Sequence, residues 1–339
     1  MHWLRGLLFP VAAIYGFVTA LRNRLFDLGW LKSYPIPGRS ICIGNLNVGG
    51  SGKSPLTRYL MAHLQQDFEV QVLLRGYGRK TRGHLRVADH HSAQEVGDEA
   101  LQYYGDLQDG DEVHVCEKRK DAITTLARDA SKVLLLDDAF QHRYVRAGLS
   151  LLVSEYEHPF FRDYLMPVGS LREARRGAKR ADALIFTKCP DNLSEELKKP
   201  YVEIGQRYGV PVFFSSIRYL PLKKMTPIPV NPPNHVLLVT GIAHPEPLLH
   251  HLEASYTVTH LKYPDHFPFT LAHLRQIHQK FSTFDVEKTI IITTEKDFVR
   301  LSSMKDEISK APWFVQPIGI SFDREALFLT TINEYVRKN

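Results

Sequence analysis

A glycine-rich segment between an apolar run and an amphipathic stretch carries the residues best suited to chemistry. Residues 41–46 are mostly apolar and are soon followed by Gly-Gly-Ser-Gly-Lys-Ser at positions 49–54. Glycines let backbone N–H groups approach phosphates, and the N-terminus of the following helix favours their negative charge. Lys53 would reach the β- and γ-phosphates, and the Ser54 hydroxyl would bind Mg²⁺. The segment therefore predicts a nucleoside triphosphate site; an ordinary glycine-rich turn is the alternative.

This loop departs at one position from the strict pattern G-x-x-x-x-G-K-[ST]. Asn47 stands six residues before Lys53, where the pattern has glycine. Asparagine tolerates left-handed turn conformations better than most residues, so the loop prediction is kept. The residues predicted to bind ATP are Asn47, Val48, Gly49, Gly50, Ser51, Gly52, Lys53 and Ser54.

Two carboxylates end a second apolar run. Asp137 and Asp138 follow the apolar residues 133–136. A strand end of this kind supplies the Walker-B carboxylate, which binds Mg²⁺ directly or through water. Acidic residues also end strands for solubility alone, and the sequence leaves open which of the two touches the metal. Ser54, Asp137 and Asp138 are the predicted Mg²⁺ ligands.

Three further features carry weaker signals. Asp98 follows Gly97 at a predicted helix start, where aspartate is most often an N-cap. His266 lies in the proline-punctuated residues 263–268, and the chain has 16 histidines, so any single one is a weak candidate. Residues 169–180 contain five cations, which suit an anionic substrate group as well as a solvated helix face.

The elements that must position these residues alternate between strand and helix patterns. This alternation predicts an α/β fold of the P-loop NTPase type, with a mainly parallel sheet, helices on both faces and a ligand site at the carboxyl ends of the strands. Five prolines between residues 220 and 234 indicate an exit from this unit. A smaller α/β unit follows, and one strand over residues 313–322 runs back. We predict a kinase domain (31–216 and 323–339), a hinge (217–234 and 313–322) and a smaller domain (235–312).

The first thirty residues are mostly apolar, with basic residues at intervals. Their apolar residues recur at helical spacing, but the uncharged part, 6–20, is short for a membrane span and contains Pro10. A signal peptide is rejected, because export would place an ATP loop where there is little ATP. The pattern predicts a membrane-associating amphipathic helix over residues 1–30; a helix packed on the protein's own core is the alternative. The apolar positions are Leu4, Leu7, Leu8, Val11, Ile14, Tyr15, Val18, Leu21 and Leu25, and the basic ones are Arg5, Arg22, Arg24 and Lys32.

Composition narrows the class of protein. The 339 residues have a formal charge of +6, which suits an anionic substrate or membrane surface, and no nucleic-acid partner is expected. Cys42, Cys116 and Cys189 are far apart, so neither a disulfide framework nor a thiolate metal site is indicated, and a reducing cytosol is the simplest location. Coiled-coil heptads are absent, and we expect a monomer.

Taken in order, the motifs resemble one family, the tetraacyldisaccharide 4′-kinases of Gram-negative bacteria. The resemblance covers nearly the whole chain. The family's loop also lacks the first glycine, so Asn47 agrees with it, whereas Ala100 and Ala139 stand where the family usually has proline and glycine. The matching segments are residues 44–55, 75–79, 97–99, 137–142, 167–173, 187–188, 241–243, 265–266 and 293–297.

The resemblance implies transfer of the γ-phosphate of ATP to the 4′-hydroxyl of a tetraacyl glucosamine disaccharide 1-phosphate, with ATP and Mg²⁺ as cofactors. It also implies a peripheral protein at the cytoplasmic face of the inner membrane, since each buried CH₂ of the substrate holds it in the bilayer by roughly 0.8 kcal/mol. Three residues are implied to be catalytic: Asp98 as the base, His266 as its partner across the cleft, and Lys53. The implied substrate contacts are Arg75, Gln141, His142 and Arg172.

Two other readings of the sequence stay open. A P-loop kinase could act on a soluble acceptor, with the first helix merely packed. A nucleotide-dependent switch or metallochaperone would also use the loop, but the scattered cysteines disfavour a metal cluster. Within the kinase reading, we expect His266 to reach the site only when the two domains close.

Overall fold

The computed structural model describes residues 8–127, 129 and 131–338, so Leu4, Arg5 and Leu7 of the predicted first helix lie outside the described residues. The helices are α1 (Phe9–Asp27), α2 (Lys53–Leu64), α3 (Ala93–Val96), α4 (Asp98–Tyr104), α5 (Arg119–Leu126), α6 (Glu195–Tyr208), α7 (Glu246–Glu253), α8 (Leu271–Phe281), α9 (Glu295–Leu301), α10 (Lys305–Ile308) and α11 (Glu325–Lys338). The strands are β1 (Tyr34–Pro35), β2 (Ser40–Asn45), β3 (Val70–Leu74), β4 (Leu85–Arg86), β5 (Glu112–Val115), β6 (Val133–Asp137), β7 (Val145–Arg146), β8 (Leu149–Glu155), β9 (Ala183–Thr187), β10 (Val212–Tyr219), β11 (Lys223–Lys224), β12 (His235–Thr240), β13 (Thr257–Lys262), β14 (Thr289–Thr294), β15 (Trp313–Gln316) and β16 (Ile318–Phe322). Short 3₁₀ helices cover Phe160–Arg162, Arg175–Arg180 and Ser302–Met304.

A nine-stranded sheet forms the larger unit. Its strand order is β16-β10-β9-β8-β2-β6-β3-β5-β4, and every neighbouring pair is parallel except the two at the edges. The central strands β2, β3, β6 and β9 are buried along their whole length, as expected for parallel strands covered on both faces. The α/β prediction is therefore confirmed.

Helices cover both faces of this sheet. On one face, α2, α4 and α11 pack through residues such as Leu60, Tyr103 and Phe328, all fully buried. On the other face, α5, α6 and the 3₁₀ helix Arg175–Arg180 form a second apolar cluster that includes Tyr201. The carboxyl ends of β2 and β6 thereby emerge side by side, with Ile43 paired to Asp137.

The smaller unit is a five-stranded sheet with the order β11-β15-β14-β12-β13. Its four long strands are parallel, and β11, from the proline-rich segment, adds an antiparallel edge. Helices again lie on both faces, with α8 and α9 on one and α7 on the other.

The connection back to the larger unit differs from the sequence prediction. The prediction of a single strand over residues 313–322 is wrong, because Pro317 separates β15 in the smaller sheet from β16 in the larger one. Proline fixes φ and has no N–H to give to a ladder, so neither sheet extends through it. Beyond it, β16 pairs antiparallel with β10, from Phe322 opposite Ser215 to Ile318 opposite Tyr219. The chain therefore leaves the larger unit after β10 and returns to it through β16, and these two strands are paired. Closure of the two units about these two connections stays a prediction.

Candidate active site

The phosphate loop joins β2 to α2 at the carboxyl edge of the larger sheet. Gly49 and Gly52 have φ of +115° and +82°, which favour glycine, and Gly52 is the N-cap of α2. Nothing lies within 4 Å of a Cβ built at Gly49 or Gly50, whereas a Cβ at Gly52 would lie 3.1 Å from the Thr187 side chain. The Ser51 hydroxyl is buried without a protein partner among the described residues. The loop therefore has both the space and the donors that a phosphate chain needs.

Asn47 serves this loop differently from the sequence prediction. It has no left-handed conformation. Its buried side chain instead donates from Nδ2 to Asp163 Oδ2 at 2.8 Å and to Ser170 Oγ at 3.1 Å. The backbone N–H of Val48 donates to Ser170 O at 2.8 Å. Asn47 thus anchors the loop to residues 163–170, and its contact with ATP stays a prediction.

The three predicted Mg²⁺ ligands converge beside the loop, together with Glu99. The Ser54 hydroxyl donates to Glu99 Oε1 at 2.7 Å, and Tyr103 donates to Asp137 Oδ2 at 2.8 Å. Burial, followed by the charges of Glu99 and Asp138, raises the pKa of Asp137 to about 7. A cation placed among these oxygens would relieve that repulsion.

Oxygen ligands of this kind fit magnesium. Within the described ranges, no three Asp, Glu, His or Cys side chains are close enough to enclose a metal ion by themselves. Mg²⁺ usually takes one or two carboxylates and completes its octahedron with water and nucleotide phosphates. Ser54, Asp137 and Asp138 beside the phosphate loop fit this preferred coordination of Mg²⁺.

Asp138 is held by cations on both sides. Its backbone has φ +46°, in the left-handed region, and Lys53 Nζ lies 3.5 Å from Oδ1. Arg172 Nη1 lies 3.0 Å from each carboxylate oxygen. Burial alone would raise the pKa of Asp138, but Lys53 and Arg172 outweigh it and leave the pKa below its ordinary value. Asp138 is therefore the more acidic member of the pair.

Asp98 and His266, the residues predicted to act on the acceptor hydroxyl, meet where the two units are in contact. Asp98 opens α4 after Gly97, whose φ is +94°, and His266 has φ +58°. His266 Nδ1 lies 3.5 Å from Asp98 Oδ2, so the structure brings together the two residues that the family resemblance paired. Arg300 of α9 donates from Nε to the same carboxylate oxygen at 2.7 Å.

The predicted substrate residues surround a cationic region beside Asp138. Gln141 donates to Asn45 O at 2.7 Å, and Arg22 of α1 donates to Gln141 O at 3.2 Å. Burial, followed by the cations Arg119, Arg22 and Arg75, lowers the pKa of His142 to about 4. The Nε2 atom of His142 is buried without a partner in the described chain. His142 is therefore neutral at physiological pH, beside three arginines that could bind an anion.

Three residues in this region had no role in the sequence prediction. Glu99 lies beside Asp98 in the matching segment 97–99, but the sequence prediction assigned it no function. Arg119, 3% exposed, donates to the carbonyls of Asp137 and Asp138 at 3.3 and 3.2 Å. Arg300 lies 202 positions from Asp98, and no local pattern indicates their contact.

A cavity of about 600 Å³ lies at the carboxyl end of β9 and along β10. It begins two residues beyond Thr187, whose hydroxyl donates to Ser51 O at 2.7 Å. Its wall includes Ser215, whose hydroxyl is buried without a partner in the described residues, and the stacked rings of Tyr219 and His251, with centroids 4.0 Å apart. This volume and lining suit a nucleoside.

Comparison with known proteins identifies close relatives over the whole length. A family model described as tetraacyldisaccharide-1-P 4′-kinase matches residues 4–337. A tetraacyldisaccharide 4′-kinase of Flavobacterium psychrophilum is 39% identical, covering 100% of this chain and 99% of the relative. One of Cytophaga hutchinsonii is 36% identical, covering 97% and 95%. The crystal structure of LpxK from Aquifex aeolicus in complex with ATP has a TM-score of 0.73 at 26% identity and covers 98% of this chain and 99% of that one.

Proposed function

The chain belongs to the tetraacyldisaccharide-1-P 4′-kinase family, and we propose that its two α/β units share the work of that reaction. The protein is a kinase that uses ATP to phosphorylate the 4′-hydroxyl of a tetraacyl disaccharide 1-phosphate, a precursor of lipid A. The larger unit binds the nucleotide. The smaller unit places His266 Nδ1 3.5 Å from Asp98 Oδ2, and this proximity is the observation that carries the assignment of the acceptor side.

The phosphates of ATP lie along residues 48–54, with Lys53 at the β- and γ-phosphates. In the protein without nucleotide, Asp138 holds Lys53 through the 3.5 Å contact between Nζ and Oδ1. Ser54, Asp137 and Asp138 would hold Mg²⁺, which when bound would supply positive charge beside the transferred phosphoryl group. The nucleoside occupies the cavity lined by Ser215, Tyr219 and His251, which begins two residues beyond Thr187, the residue that donates to Ser51 O.

Asp98 receives the proton of the acceptor. The 4′-oxygen forms a bond to the γ-phosphorus, and the bond from that phosphorus to the β,γ-bridging oxygen breaks. Its electron pair leaves with ADP, while the hydroxyl proton passes to the Asp98 carboxylate. A weakly basic carboxylate suffices, because the proton leaves late in a loose phosphoryl-transfer transition state.

The acceptor's charged end lies against the cationic region. Arg75, Gln141, His142 and Arg172 contact it, and buried Arg119 adds a further charge. The unpartnered nitrogens Nε of Arg119 and Nε2 of His142 support this assignment, since a buried polar atom without a partner is costly unless a ligand supplies one.

Helix α1 brings the enzyme to its lipid. One face of α1 packs on the site: Tyr15 donates to Arg172 O at 2.7 Å, and Asn23 donates to Glu173 Oε2 at 2.7 Å. The opposite face is apolar and open to solvent, with Ile14 and Phe17 67% and 69% exposed. A monomer rarely exposes a contiguous apolar patch of this kind without a binding role. The other exposed apolar residues of this face are Phe9, Val11, Val18, Leu21 and Leu28.

This exposed face favours a peripheral position at the cytoplasmic side of the inner membrane. None of the described helices is sufficiently long and apolar to span a bilayer. Arg24 and Lys32, both exposed, lie toward the C-terminal end of this apolar stretch and are available to anionic head groups. A soluble acceptor would leave the apolar face of α1 without a function, so the lipid acceptor is preferred.

Phosphate transfer to a panel of acceptors tests this function. The panel contains the tetraacyl disaccharide 1-phosphate, its deacylated form and a variant blocked at the 4′-oxygen, each with γ-labelled ATP and Mg²⁺. We expect label on the 4′-oxygen of the acylated acceptor and none on the blocked one. If the deacylated acceptor were phosphorylated as fast as the acylated one, both with vesicles and in solution, the lipid assignment would be rejected.

A further inference from the structure

The guanidinium of Arg300 lies between the two residues of the acceptor side. Nε and Nη2 are each 2.7 Å from Asp98 Oδ2. Nη2 is also 3.0 Å from His266 Nδ1. The direct separation of His266 Nδ1 and Asp98 Oδ2 is longer, 3.5 Å. Arg300 therefore makes the short contacts to both members of the pair.

A buried anchor holds this guanidinium in place. Nη1 donates to Asp297 Oδ1 at 3.0 Å and to Gly241 O at 3.2 Å. Asp297 is fully buried, and its other oxygen accepts from Gly241 N and from the Thr294 hydroxyl. These contacts and those to Asp98 and His266 match the five N–H donors of an arginine. The side chain is 8% exposed, so its orientation is set by the protein.

The contact to His266 fixes where that ring carries its proton. A guanidinium has no acceptor, so Nδ1 of His266 must accept from Arg300. A neutral ring that accepts at Nδ1 carries its proton on Nε2. The backbone of His266 agrees with this fixed position, because its N–H donates to Gly241 O, the carbonyl that also accepts from Arg300. Nδ1 consequently has no proton to donate to Asp98.

Asp98 is oriented by the same group. Both short contacts from Arg300 reach Oδ2, and in the part of the chain that the structure describes Oδ1 accepts no hydrogen bond. The free oxygen is the one available to an acceptor hydroxyl. Because Arg300 occupies Oδ2, Oδ1 is the oxygen of Asp98 that can take the proton of the acceptor.

We propose that Arg300 is a positioning residue that holds His266 as the Nε2-protonated tautomer and turns Asp98 Oδ1 toward the acceptor. The part concerning Asp98 rests on the proposed function, whereas the tautomer of His266 is a property of the protein alone. Asp297 and Gly241 form the rigid base from which Arg300 acts. The smaller unit thus contributes Arg300 as well as His266 to the reaction.

Nitrogen-15 spectra of histidine-labelled protein without ATP or acceptor test the tautomer. The His266 signals are identified by their loss in His266→Gln. In the wild type we expect an unprotonated Nδ1 and a protonated Nε2. In Arg300→Met the preference should be lost, and Arg300→Lys should restore part of it. Arg275→Met is the matched control, because Arg275 is 70% exposed on α8 and its change should leave these signals unaltered.

Turnover of the same variants tests the effect on the reaction. We expect kcat of Arg300→Met to fall by about 10- to 100-fold, because small displacements of reacting groups cost this much, while KM for ATP stays nearly constant. Arg300→Lys should recover part of kcat, and Arg275→Met all of it. A proton on Nδ1 of His266 in the wild type would overturn the proposal, as would an unchanged tautomer in a folded Arg300→Met. The spectra need no acceptor, so a wrong assignment of the substrate leaves this test intact.

Discussion

At the scale of single residues, the ionisation of Asp137 links the metal site to the stability of the protein. Its carboxylate is buried beside Glu99 and Asp138, which raises its pKa to about 7. The folded protein therefore binds a proton that the unfolded chain releases near its ordinary pKa of about 3.9. Because the folded state binds more protons in this interval, the stability of the metal-free protein falls as the pH rises from about 4 to 7.

Asp137→Asn should reverse this loss. We expect the metal-free variant to have a Tm a few degrees above that of the wild type at pH 8, because no buried charge remains. At pH 5, where Asp137 is already protonated in the folded state, the difference should shrink. Tyr103 and Thr57 can still bond to the amide. Calorimetry at both pH values measures the effect, and loss of Mg²⁺-dependent stabilisation by ATP should accompany it. A lower Tm at pH 8 would contradict this account of the site.

Gly50→Ala separates phosphate binding from folding. Nothing lies within 4 Å of a Cβ built at Gly50, and its φ is not positive, so the folded protein accepts the methyl group. The methyl group would instead enter the space left for phosphates. We expect Kd for ATP to rise by about tenfold or more, equivalent to ~1.4 kcal/mol, with Tm unchanged. Gly105→Ala, at a right-handed helix end with its nearest contact at 3.5 Å, should change neither quantity. Unaltered ATP affinity in Gly50→Ala would show that the phosphates lie elsewhere.

At the scale of elements, helix α1 has two faces with different partners. Its inner face contacts the residues 172–173 next to the site, and its outer face exposes Ile14 and Phe17. Burial of one such side chain in a bilayer is worth about 1.5–3 kcal/mol. A charge at these positions should therefore weaken vesicle binding without disturbing the inner face.

We expect Phe17→Glu to reduce binding to vesicles of phosphatidylethanolamine and phosphatidylglycerol by at least about tenfold. Flotation with the vesicles measures it. Leu197→Glu is the matched control, because Leu197 is 54% exposed on α6, outside this surface. Equal flotation of both variants would mean that the outer face of α1 does not contact the membrane.

Elements also show how much the sequence alone could predict. The phosphate loop and the Asp137-Asp138 pair are local in the chain, and the structure brings both to adjacent strand ends. The contact of Arg300 with Asp98 could not be predicted, because it depends on how α9 packs against α4 across 202 positions. The strand over 313–322 was wrong because its apolar pattern continues through Pro317 while the chain changes sheets.

At the scale of the whole molecule, ion pairs join the two units beside the site. Arg58 of α2 donates to both oxygens of Glu295 at 2.7 and 2.9 Å and also to Asp106. Lys296 lies 3.6 Å from Glu99, the acceptor of the Ser54 hydroxyl. The helix that carries Arg300 is thus fastened to the nucleotide unit at several points.

Arg58→Met should loosen this contact between the two units. Without the bridge, Glu295 and Asp106 lose a shared partner, and the units should separate more readily about the two connections. We expect a larger radius of gyration by small-angle scattering and a lower kcat/KM for the acceptor. Arg337→Met removes an arginine that is 68% exposed and should leave both unchanged. An unaltered radius and turnover in Arg58→Met would argue against closure as a step of the reaction.

The central claim is that Asp98, completed by the smaller unit, receives the proton of the acceptor hydroxyl after ATP has bound to the larger unit. A single-turnover measurement with Asp98→Asn tests it most directly, with Kd for ATP determined on the same preparation. The account predicts phosphoryl transfer slower by about 10²- to 10⁴-fold with ATP affinity retained. Transfer at the wild-type rate, or a loss of ATP affinity that explains the slower transfer, would contradict it.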